Sequence, residues 1–171
     1  MRKLLYILIS GCLIVAAWFF IFYPISNFPK PSGSYGVGLM KYHWIDNSRQ
    51  EKNTQDPEHP NRELMVYAYY PAAKSDARIS YDSDAAESAI DFLSSSSKFP
   101  KIVFSGIKFI KTYSQPDAPI TQSPMSFPVI IFSHGGGPVV QQYTYILEEL
   151  ASHGFIVVGI SFIYGIKVFF S

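Results

Sequence analysis

Cysteine is almost absent: Cys12 is the only one in 171 residues. No disulfide can close within the chain, and no thiolate cluster can hold a metal. Charge is scarce as well, at 16% of residues, and it balances to +1 from 14 Lys+Arg against 13 Asp+Glu. A nucleic-acid partner needs a concentrated basic face, so none is expected. With 48% hydrophobic residues the chain is too apolar to be largely disordered. A third absence concerns catalysis: no glycine begins a G-x-S-x-G elbow, and the nearest candidate, around Ser161, lacks the second glycine.

What is present begins with an apolar run. Residues 4–23 hold no charge or proline, follow Arg2 and Lys3, and end in Trp18, Phe19, Phe20, Phe22 and Tyr23. Twenty such residues suit one transmembrane helix, with an aromatic belt at its exit and the rest of the chain on the extracytoplasmic side. Cleavage as a signal segment, leaving a secreted protein, is the alternative. Ile9-Ser10-Gly11-Cys12 also has the form of a lipidation site, although the apolar run continues beyond it. The expected organisation is an anchor or signal over 1–24, a Pro/Gly/Ser linker over 25–34 and a folded part over 35–171.

Residues 37–45 and 64–70 alternate apolar and polar side chains and read as two strands, most simply an antiparallel pair. The polar stretch between them, 46–61, reads as a loop. Residues 85–93 suit a short helix, closed by a loop of serines at 94–97. Over 99–111, Phe99, Ile102, Val103, Gly106, Ile107 and Ile110 follow helical spacing, with Lys98, Lys101, Lys108 and Lys111 opposite. This predicts an amphipathic helix, packed on the core or laid on a lipid surface. Four prolines make 115–128 an extended connection.

The pattern then sharpens. Residues 129–132 are wholly apolar, as expected of a parallel strand covered on both faces. Ser133-His134-Gly135-Gly136-Gly137 forms a turn; Tyr143, Ile146, Leu147, Leu150 and Ala151 recur at helical spacing; Gly154 stands where a helix cap belongs; and 155–160 is a second apolar run. Strand, turn, helix and strand make a right-handed βαβ unit. Glycines after such a strand let backbone N–H groups approach a substrate and stabilise the oxyanion of ester hydrolysis, as the HGGG-type turn does in lipases and esterases.

The run Phe127-Pro128-Val129-Ile130-Ile131-Phe132-Ser133-His134-Gly135-Gly136-Gly137, followed by Leu150-Ala151-Ser152-His153-Gly154-Phe155-Ile156-Val157-Val158, resembles the plasma-type platelet-activating factor acetylhydrolases and their bacterial relatives. Gly33-Ser34-Tyr35-Gly36-Val37-Gly38, residues 62–71 and residues 111–119 resemble the same family. The resemblance implies an α/β fold, the N-terminal part of an α/β-hydrolase with an incomplete sheet, and a serine esterase or lipase acting on phospholipid or short-chain esters without metal or cofactor. It places the oxyanion donor at the backbone N–H of Gly136, in a turn shared with His134, Gly135 and Gly137, and makes His134 a turn-shaping residue. The nucleophile, Asp and His are absent, so the chain is expected to be inactive alone and to lack a C-terminal half. A non-catalytic membrane-tethered binding or scaffold module is the other reading. Ser133 and Ser161 read as strand-end residues, and His43, His59 and His153 as surface or cap residues.

Overall fold

The computed structural model describes residues 2–22, 28–50, 60–123, 126–135 and 139–162, with no side-chain description for 18–22 and 162. Helix α1 (Arg2–Phe22) forms over the expected apolar run. The expected transmembrane anchor is nevertheless overturned: among the described residues no helix is long and apolar enough to cross a membrane. The single-pass, extracytoplasmic placement falls with the anchor. Every side chain over 2–17 is exposed.

The rest is an α/β unit built on a mixed sheet. Strands β1 (Gly36–Gln50) and β2 (Asn61–Ala72) pair antiparallel, with Val37 opposite Pro71 and His43 opposite Met65. The β1 strand runs five residues beyond the alternation read from sequence. Its hydrogen bonds to β2 continue through Asp46↔Arg62, so local polarity did not end it. A short ribbon of β3 (Ile79–Ser80) and β4 (Lys111–Thr112) lies apart from the sheet, and β5 (Ser114–Pro116) adds in parallel to β1. Strands β6 (Val129–Ser133) and β7 (Ile156–Phe162) are parallel neighbours, joined through α3 (Thr144–Ser152). The order β5-β1-β2-β7-β6 leaves β6 at one end of the described sheet.

The two faces differ sharply. Tyr67, Tyr69, Val157 and Val37 project toward α3, where they bury with Val140, Leu147 and Ala151. The opposite face is covered only in part: Tyr42, Trp44, Val129 and Ile131 are exposed, while Val66 and Tyr70 of β2 are buried. Thus β6 is not covered on both faces. Ile130 and Phe132 pack on the core, while Val129 and Ile131 are 62% and 75% exposed.

Helix α2 (Ser83–Ser97) is longer than the sequence pattern suggests. Asp82 caps its start by accepting from Ala85 N at 3.0 Å, and the serine run continues the helix instead of breaking it. Ser95 and Ser97 donate back to carbonyls one turn earlier, which supplies local partners inside the last turn. The segment read as an amphipathic α-helix is a 3₁₀ helix, Lys101–Phe109. Three residues per turn shift the faces. Phe104 and Ile107 turn inward and Phe99, Ile102 and Phe109 outward, while Lys101 and Lys108 pair with Asp91 and Glu87 of α2.

Candidate active site

The glycine turn leaves the C-terminal end of β6, where Ser133 pairs with Ile160 of β7. His134 follows, with its Nδ1 2.9 Å from Gly135 O. A Cβ on Gly135 would lie 3.3 Å from the Tyr143 hydroxyl, so the entrance to the turn is closely bounded. Phe132 meets the Tyr143 ring edge-on, with centroids 5.2 Å apart. The proposed oxyanion donor Gly136, with Gly137, lies outside the described residues.

Beyond the turn the chain is deeply buried. Val139 packs with Tyr81, Ala85 and Ala86, and Val140 is fully buried at the start of a short 3₁₀ helix, Val140–Tyr143, that runs into α3. Val140 N donates to Ser161 Oγ at 2.7 Å. Gln141 is 3% exposed, and its Oε1 has no hydrogen-bond partner among the described residues. Thr144 Oγ1 donates to Gln141 O at 2.7 Å and lies 3.4 Å from the Tyr69 hydroxyl.

Aromatic hydroxyls gather beneath this exit. Burial pushes the Tyr67 phenol up to about 12, and it raises Tyr69 and Tyr81 as well, so all three remain neutral donors at physiological pH. Lys41 pairs with Asp82 and stands 6.0 Å from the Tyr67 ring centroid. For Asp82, burial opposes ionisation, but the hydrogen bonds from Lys41 and Ala85 together outweigh it and hold the carboxyl below its ordinary value.

The candidate residues do not converge on one centre. Ser133 ends β6, and Ser161, read as a strand-end residue, holds Val140. His43 pairs with the buried Glu63 at 2.6 Å, His153 caps α3, and His59 lies outside the described residues. One exposed cluster superficially resembles a triad. Ser32 Oγ is 3.2 Å from His153 Nε2, and Glu149 Oε1 is 3.1 Å from that same nitrogen. A triad needs its carboxylate on the other ring nitrogen, with the serine donating to histidine. Here Ser32 donates to Glu149 through both its hydroxyl and its N–H. The cluster is a clasp between the N-terminal segment and α3.

Sequence reasoning missed two groups. Glu148 was indistinguishable from its neighbour Glu149, although positions 144, 148 and 151 recur at one helical turn and could have marked it as inward-facing. For Ser161, alternation along β7 could have set it on the same face as Gly159 and Val157.

Residues 20–162 match the family described as platelet-activating factor acetylhydrolase, isoform II. Among solved structures, the ferulic acid esterase from Streptomyces cinnamoneus is similar at 25% identity and a TM-score of 0.53, over 80% of this chain and 36% of that one. The chain thus spans little more than a third of that esterase's length. No curated protein matches it.

Proposed function

From the premise that this chain belongs to the platelet-activating factor acetylhydrolase, isoform II, family, we propose that it carries the oxyanion part of a carboxylic-ester hydrolase for phospholipid or short-chain esters. The observation that carries this reading is the glycine turn at the end of β6, entered beside Tyr143 and left at the buried Val139–Val140. Backbone donors at Gly136 and its neighbours would face the developing oxyanion, where loss of one donor typically costs about 3–4 kcal/mol. The likeness to an esterase structure supports the same chemistry.

The sequence supplies no G-x-S-x-G nucleophile elbow. We therefore read these 171 residues as inactive in ester hydrolysis by themselves. Hydrolysis of a short-chain nitrophenyl ester by the 171-residue chain, measured against Gly136→Pro, tests this. The expected result is equal background rates. Turnover abolished by the proline substitution would overturn this reading.

A phospholipid substrate is supported by the exposed Phe99, Ile102, Val103 and Phe109, which stand beside Lys98, Lys101 and Lys108. Apolar groups next to cations suit an interface between lipid tails and headgroups. Co-sedimentation with anionic phospholipid vesicles, weakened by Ile102→Asp, is the expected outcome; equal sedimentation of both proteins would remove this support.

A non-catalytic binding module is the second reading, favoured by the edge and face of β6 that stay uncovered among the described residues. A partner that binds tightly to the chain while the ester-hydrolysis background stays unchanged would favour it.

A further inference from the structure

The turn's two ends are held by neighbouring residues of one strand. Its entrance, Ser133, pairs with Ile160, and its exit, Val140, bonds to Ser161. Val140 is the first residue of the 3₁₀ helix, and its N–H is among those a helix start leaves without an internal partner. Val139, the residue at the cap position, supplies no side-chain acceptor. The acceptor comes instead from β7, through a serine hydroxyl in a residue only 4% exposed.

A second contact fixes the same residue. Gly159, two positions before Ser161 and on the same face of β7, lies directly under Val140: a Cβ there would be 2.7 Å from Val140 Cγ2. Val140 is thereby held twice, by its side chain over a missing Cβ and by its N–H on a hydroxyl. Neither contact involves a group that titrates near neutral pH or that could attack a substrate from its buried position.

We propose that Ser161 is a positioning residue for the glycine turn, its hydroxyl fixing the Val140 backbone and so the point where the chain rejoins the fold after the oxyanion donors. The proposal rests on the ester-hydrolase reading of that turn. An oxyanion donor works only when its N–H is already aimed, so a shift of the chain just beyond it would weaken it without touching the reacting atoms. Ser161 differs in this from an ordinary helix cap, whose loss would only lower stability.

The test is amide hydrogen exchange, followed by NMR on the full chain, in wild type, Ser161→Ala and Ser161→Thr. Removing the hydroxyl should speed exchange at Val140 by about tenfold, the equivalent of one lost buried hydrogen bond. Val66 and Val157, in the sheet core, should keep their wild-type rates, and threonine should restore protection at Val140. Butyrate, a small carboxylate, is titrated in parallel while the Gly135 amide resonance is followed. Binding weakened severalfold in Ser161→Ala and recovered in Ser161→Thr is the expected pattern. Unchanged exchange at Val140, a common rise at all three amides, or equal butyrate affinity in wild type and Ser161→Ala would overturn the proposal. If butyrate fails to bind wild type, the ester reading of the turn fails, and exchange at Val140 still decides the role of Ser161.

Discussion

Glu148 and Ser114 are joined twice within the buried seam between α3 and β5: the Ser114 N–H and hydroxyl both donate to Glu148 Oε1, at 2.7 and 2.5 Å. Tyr113 N adds a third donor at 2.7 Å, while Oε2 has no hydrogen-bond partner among the described residues. Burial pushes the Glu148 carboxyl above its ordinary value, against the pull of the three donors. One side chain therefore ties the edge strand to the helix that follows the glycine turn.

Replacing Glu148 with alanine should strand three buried donors and destabilise the chain by about 3 kcal/mol, read from the urea midpoint. Glutamine keeps an acceptor at Oε1 and should cost much less. Because the folded carboxyl titrates above its unfolded value, the native state holds the extra proton. The Glu148 contribution is then complete below the unfolded value and declines as pH rises through the folded one. Stability of wild type relative to Glu148→Gln should therefore fall as pH rises from about 4 toward neutrality. A difference that stays flat or grows would contradict the buried, proton-holding carboxyl.

Glu149 behaves oppositely. The Ser32 hydroxyl and N–H hold its carboxyl below the ordinary value, with His153 adding to the effect. Its contribution is present above the unfolded value and is lost as pH falls through the folded one. In wild type, the protection factor of Tyr35 N, which donates to Ser152 O at 3.0 Å, should fall on acidification as the clasp releases. Ser32→Ala should show a low protection factor at every pH; protection equal to wild type at neutral pH would mean that the clasp holds nothing.

Leu147 is fully buried between α3 and the sheet. Leu147→Ala should cost about 2–5 kcal/mol, from lost transfer energy and a residual cavity, measured by thermal or urea unfolding. A loss below 1 kcal/mol would mean that the α3 side is loosely packed.

Ile131 projects from the end strand into solvent, beside a strand edge that has no partner among the described residues. Ile131→Lys should suppress self-association, followed by light scattering, with little change in unfolding midpoint, because charge on an edge strand discourages pairing with another chain. Equal scattering from both proteins would place any association elsewhere.

Much of the architecture could be read locally. The alternation in β1 and β2, the apolar runs of β6 and β7, and the helical spacing around Leu147 each carry a period that belongs to one element. Gly154 was legible for a similar reason: φ of 95° just past α3 is a conformation glycine adopts at little cost. The segment 101–109 was not legible, because its apolar and basic residues satisfy an α-helical wheel on paper while a 3₁₀ turn repacks them. The serine run of α2 was misread because serine favours loops, whereas here its hydroxyls bond back to the helix.

The sequence by itself determined the periodicities, the glycine turn after an apolar strand, and the absence of a G-x-S-x-G elbow. These are properties of adjacent residues. Tertiary structure alone decided that Glu148 is buried while Glu149 is exposed to Ser32, that Ser161 holds Val140 from 21 positions away, and that one face of β6 stays bare. Each depends on which element packs against which, and burial and hydrogen-bond partners come from neighbours distant in the chain.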